Sequence, residues 1–147
     1  MDDVIVLMRN REDFLKLAQD LNNATNLNIE WNISNQEAIY LDLKICKGHR
    51  FRQYSTQDVE IYTKPISKFL YLHGTSSHPK HVFTGIVKGE IIRFLRNTSD
   101  HETWTRKVKM LFNMLIQRGY TKSILKNAIK DIKYENRYKY LLSLIHI

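Results

Sequence analysis

The chain has 147 residues, 43% hydrophobic and 26% charged, enough for one globular domain or two small lobes sharing a core. It contains neither an apolar run of membrane-spanning length nor a signal-peptide pattern, and its single cysteine, Cys46, excludes an internal disulfide. These features predict an intracellular protein, nuclear or cytoplasmic, and the net charge of +8 predicts a polyanionic partner such as nucleic acid.

In chain order, Val4–Met8 reads as an apolar strand preceded by two carboxylates, Asp2 and Asp3. Asn10 is placed to cap a helix whose Phe14, Leu15, Leu17, Ala18 and Leu21 share a face. Ile29, Trp31 and Ile33 alternate as in a strand, and Ala38–Ile45 alternates again, with Ile39, Leu41, Leu43 and Ile45 to one side. Lys47–Arg50 reads as a turn, Val59–Tyr62 as a further strand, and Pro65 ends the sheet pattern because it cannot donate to a ladder.

The period then changes to that of helices. Phe83, Val87, Ile91, Phe94 and Leu95 form one stripe within a helix from about Lys80 to Arg96. Trp104, Val108, Leu111, Phe112 and Leu115 form the next, with Ser99 and Glu102 at capping-box spacing and Gly119 at the left-handed closing position. Thr121 caps a third helix through Ile124, Leu125, Ala128, Ile129 and Ile132, and a fourth begins near Asn136. The pattern is therefore α+β, a partial antiparallel sheet with a helix followed by a basic lobe of three to four helices.

Charge follows the same division. Residues 1–64 carry 8 Lys/Arg against 10 Asp/Glu, whereas residues 65–141 carry 15 against 5. The cations of the second half are thus the candidate phosphate ligands. Gly85, Gly89, Arg93 and Arg96 lie along one helix face. Two helix-interior glycines cost roughly 1 kcal/mol each relative to alanine, so they mark close approach of a partner or tight packing against a neighbouring helix. His73, His78 and His81 surround Pro79 without a well-spaced carboxylate or thiolate, which favours polar loop residues over a zinc site. Asp42-Leu43-Lys44, with Glu30 upstream, has a nuclease-like spacing that a solvated strand face explains equally well. Of the interleaved aromatics, Trp104 above all is predicted to be core.

The order of short motifs resembles the downstream portion of the reverse transcriptases of Penelope-like retroelements. Asp2-Asp3 is similar to the end of a Tyr-x-Asp-Asp hairpin, and Trp31 and Tyr40-Leu41-Asp42-Leu43-Lys44-Ile45 follow as in that family. Tyr62-Thr63-Lys64-Pro65, Tyr71-Leu72-His73 and Ser76-Ser77-His78-Pro79 come next. Gly85-Ile86-Val87-Lys88-Gly89-Glu90, Arg93–Asp100 and Arg118-Gly119-Tyr120 complete the series. The resemblance implies that residues 1–66 are the C-terminal part of a polymerase palm, with Asp2 and Asp3 as catalytic, Mg2+-binding carboxylates. Residues 67–141 become a helical thumb, or helix-turn-helix-like lobe, that grips an RNA–DNA or DNA duplex. Lys64, His78, Lys80, His81, Lys88, Arg93, Arg96 and Arg118 are then its nucleic-acid ligands. Because the upstream strand supplying another metal carboxylate is missing, the resemblance implies an RNA-directed DNA polymerase fragment that is inactive alone. The alternative is a free-standing helix-turn-helix DNA-binding module. Residues 142–147 look like one reading frame of a transposon end used in sequencing libraries, hence a non-native tail; an ordinary apolar helix end is the other reading.

Overall fold

A computed structural model of the chain describes residues 4–25, 29–64 and 70–142. The elements are α1 (Arg11–Ala24), β1 (Glu37–Tyr40), β2 (Leu43–Cys46), α2 (His49–Tyr54), β3 (Asp58–Ile61), α3 (Lys80–Arg96), α4 (His101–Gln117), α5 (Lys122–Ile129) and α6 (Arg137–Leu142). A 3-10 turn, Tyr134–Asn136, leads into α6. The architecture is α+β: a three-stranded antiparallel sheet in the order β1-β2-β3, and a helical C-terminal part.

The helical part forms where the 3.6-residue period predicted it. Phe83, Val87, Ile91, Phe94 and Leu95 of α3 are buried against Trp104, Val108, Leu111 and Leu115 of α4 and Leu125 and Ala128 of α5. Ile61 of β3 belongs to the same core, so sheet and helices share one hydrophobic interior. The start of α4 differs from expectation. Asp100, not Ser99, caps it, its Oδ1 accepting the Thr103 N–H at 2.8 Å. Ser99 instead serves the sheet. Its Oγ accepts the Val59 N–H at 2.6 Å, while its own N–H donates to the Val59 carbonyl at 2.8 Å. The outer edge of β3 is closed in this way by the α3–α4 corner.

Several strand expectations are corrected. Val4–Met8 is not a strand: Val4 and Leu7 are exposed, and without a partner ladder an apolar run gains nothing from extending. Residues 29–33 also lack a ladder, and Trp31 packs edge-on to Phe14 of α1 at 5.2 Å. Ala38–Ile45 is a hairpin rather than one strand, with Tyr40 opposite Leu43 and the chain reversing at Leu41-Asp42. Lys47–Arg50 runs into a helix because the Asp58 carboxylate accepts the Arg50 N–H at 3.4 Å at the start of α2. The Asn10 cap of α1 is present, its side chain accepting the Asp13 N–H.

Leu41 turns the hairpin with φ +55°, a left-handed conformation that costs a branched side chain roughly 1–2 kcal/mol. Leu41 is half exposed, so its side chain recovers little by burial. Leu41→Gly is therefore expected to stabilise the protein by about 1 kcal/mol, after allowing for the extra freedom of glycine in the unfolded chain. A thermal melt reads this directly, and an unchanged or lower midpoint counts against the strain.

Candidate nucleic-acid interface

The turn between α4 and α5 is the most tightly specified local structure of the helical part. Gly119 takes φ +85°. Its N–H donates to the Ile116 carbonyl at 2.9 Å and the Tyr120 N–H to the Leu115 carbonyl at 3.0 Å, the paired bonds of a Schellman closure. Tyr120 is buried and meets Phe83 of α3 edge-on at 5.5 Å. The loop before α3 locks onto the same turn, with the Gly74 N–H donating to the Arg118 carbonyl at 2.8 Å. A Cβ on Gly74 would lie 2.2 Å from the Gly119 oxygen, so only glycine allows this approach.

From that turn α5 projects with a two-sided character. Leu125 and Ala128 are buried and Ile124 and Ile129 half-buried, while Lys122, Ser123, Lys126, Asn127 and Lys130 are not part of that buried side. Among the described residues the three lysines make no ion pair. The sequence reading did not single out these five residues, although the signal was present: the apolar stripe it assigned to this helix leaves them outward by default.

The residues it did single out divide into groups. Asp2 and Asp3 lie outside the described residues, and among the described residues no cluster of His, Cys, Asp or Glu is arranged to hold a metal ion. Lys64 is exposed after β3, apart from the α4–α5 turn in sequence. His78, Lys80, His81 and Lys88 are exposed. His78 and His73 hydrogen-bond local hydroxyls, Nδ1 to Ser76 Oγ at 2.6 Å and Nδ1 to Thr75 Oγ1 at 2.8 Å. His81 and Lys88 stand two turns apart on one side of α3. A Cβ on Gly85 or Gly89 would meet nothing within 4 Å among the described residues, so helix packing does not account for these glycines.

Arg93, Arg96, Arg106 and Arg137 bond other groups of the protein itself. Arg93 pairs with Asp42 of the hairpin and with Glu90 at 2.9 Å. Arg96 Nε donates to the Tyr140 carbonyl at 2.9 Å, and Arg137 of α6 in return donates to the Leu95 and Arg96 carbonyls at 2.7 Å, closing the C-terminus of α3. Arg118 sits half-buried at the end of α4, its Nε buried without a hydrogen-bond partner among the described residues. On the sheet side, Arg106 pairs with Glu60 at 2.8 Å, and the buried Lys107 donates to the Ile61 carbonyl. A cleft of about 600 Å³ opens there, between Cys46, His49 and the start of α4, and its lining includes the ion pairs Arg50–Asp58 and Arg106–Glu60.

Two helices joined by a short glycine-closed turn, with a third helix packed on the second of them, are the parts of a helix-turn-helix. Residues 70–130 match the family model of the animal helix-turn-helix domain. The match begins beside Tyr71 and ends just past α5, so it spans the loop, α3, α4 and α5. No curated protein and no solved structure matches the chain. No helix among the described residues is long and apolar enough to cross a membrane. Neither the fold nor these comparisons show a reverse transcriptase.

The helix-turn-helix unit carries two checks. Gly74→Ala is expected to cost about 1–3 kcal/mol, because backbone must move to admit the methyl group, and a denaturant titration with an unchanged midpoint contradicts the close approach. The second concerns pH. Burial, then the charge of Glu90, hold the Tyr71 phenol well above the usual tyrosine value of 10.0, and burial raises Tyr120 and Tyr134 in the same direction. The folded state thus keeps protons that the unfolded chain releases above pH 10.0, so their stabilising effect is complete below that pH and declines above it. Melting temperatures are expected to fall as the pH rises past 10.0, and to fall less steeply in Tyr71→Phe.

Proposed function

We propose that residues 70–130 act as a duplex-DNA-binding helix-turn-helix module in which α5 enters the major groove. The observation that carries this reading is the outward face of α5. Lys122, Lys126 and Lys130 stand there without ion pairs among the described residues, on the helix that follows the glycine-closed turn. A major groove about 12 Å wide accepts one α-helix, and lysines on its flank reach phosphates as the helix seats. The charge of the matched region supports the same partner, with 11 Lys/Arg against 3 Asp/Glu. Lys80, His81 and Lys88 of α3 are further candidate backbone contacts, exposed on the helix that packs against α5.

A second reading is kept because one observation favours it. The ordered motifs run through both halves of the chain, and the hairpin docks on the helical unit through Asp42 and Arg93. That is what a reverse-transcriptase fragment with palm and thumb in contact requires, and in an intact parent Asp2 and Asp3 would hold Mg2+. This reading predicts sequence-blind binding with a preference for RNA–DNA hybrids.

Fluorescence anisotropy on labelled duplexes across a salt series tests both. The full chain is expected to bind DNA with log affinity falling linearly in log salt. Replacing Lys122, Lys126 and Lys130 together by alanine is expected to weaken binding at least tenfold, with the melting temperature unchanged. The salt slope is expected to become shallower by roughly 0.9 for each phosphate the variant no longer neutralises. Equal binding by the triple variant removes α5 from the interface; a marked hybrid preference favours the second reading.

A further inference from the structure

The outward surface of α5 is not uniformly basic. Lys122 and Lys126, four residues apart, form one stripe, and Ser123 and Asn127, also four apart, form the stripe beside it. Lys130 follows at the C-terminal end. The buried side of the helix, centred on Leu125 and Ala128, lies opposite. A helix seated with this surface inward therefore puts ammonium groups along one wall of a groove and a hydroxyl and a carboxamide toward its floor.

Asn127 is exposed and makes no hydrogen bond among the described residues, leaving its two donors and its carbonyl acceptor available. Asparagine is a mediocre helix former, and neither a cap nor a packing contact accounts for it here. Ser123, at the second helical position, is held by a hydroxyl–hydroxyl bond to Thr121 at 2.9 Å, which orients it in the first turn.

We propose that α5 reads base sequence through this neutral stripe, with Asn127 selecting adenine and Ser123 contacting a neighbouring base. The chemistry is complementary. In the major groove adenine offers the N7 acceptor and the N6 amino donor side by side, and a carboxamide meets both at once through its own donor and acceptor. Guanine presents two acceptors there, so the carboxamide oxygen would face O6 or N7 unpaired. Lysine, a hydrated point charge, positions the helix on phosphates without discriminating among bases. This inference rests on the major-groove reading of α5 and adds to it a division of labour between the two stripes.

The test uses the full chain and a selected duplex. A preferred site is enriched from a randomised duplex pool, and each base pair in it is then changed in turn and measured by anisotropy. The wild type is expected to prefer adenine at one position by about tenfold or more, the range of a bidentate contact. Replacing that adenine by 7-deazaadenine is expected to remove the preference. Asn127→Ala is expected to flatten discrimination at that position while the preferences at the other positions of the site persist. Lys126→Ala is expected to weaken every sequence alike. Duplex binding without an adenine preference, or a preference that survives Asn127→Ala, overturns the proposal while leaving the helix-turn-helix reading standing. Absence of any duplex binding overturns both.

Discussion

The structure depends on the seam where β3 meets the α3–α4 corner. Val59 and Ser99 exchange two hydrogen bonds there, and Lys107 reaches the Ile61 carbonyl from within α4. These are backbone groups that would otherwise stand unpaired on a sheet edge, and each such group left buried and unmet costs roughly 1–3 kcal/mol. With the edge closed, Ile61 is carried into the helical core and a small sheet that is marginal alone gains a wall to pack against. The seam also fixes which surfaces of the helices remain open.

That consequence is electrostatic. The sheet brings Asp42 and Glu60 to the helices, where they meet Arg93 and Arg106. These pairs are partly exposed and contribute little stability individually, of the order of 0–1 kcal/mol, but they neutralise one side of a strongly basic lobe. Lys122, Lys126 and Lys130 of α5 and Lys80 and Lys88 of α3 keep exposed charges without ion pairs among the described residues.

How far the sequence discloses this arrangement differs between the two halves. The apolar stripes of α3, α4 and α5 were readable because a buried helix face must repeat every 3.6 residues, and Gly119 was readable because only glycine closes a helix so cheaply. The hairpin was not. Ile39, Leu41, Leu43 and Ile45 keep a perfect alternation across a reversal, and nothing at Leu41 signals a turn, since leucine rarely adopts positive φ. Val4–Met8 misled for the opposite reason: strand propensity is realised only with a partner ladder, which single-residue patterns do not reveal. At the candidate interface the total charge was legible but its allocation was not. Arg93 and Arg96 looked like phosphate ligands by spacing, whereas the partners they meet, Asp42 and the Tyr140 carbonyl, are 51 and 44 residues away in sequence.

The division between the two kinds of cation follows from their chemistry. In the helical part the arginines at 93, 96, 106 and 137 bind carboxylates or carbonyls of the protein itself. A planar guanidinium holds several directional donors in fixed geometry, so it can close a helix end as Arg137 does for α3, or join a hairpin to a helix as Arg93 does. The exposed cations without ion pairs among the described residues of α3 and α5 are lysines, with the buried Lys107 of α4 the contrasting case. An ammonium group loses more on leaving water and gains less from a fixed geometry, so it is retained at the surface, where it can pair with a mobile phosphate at little cost. Under the proposed role, a surface built this way would give affinity that salt screens and almost no base discrimination. In the proposed duplex-binding role, the selectivity of α5 would come from the neutral donors and acceptors beside the lysines, Ser123 and Asn127.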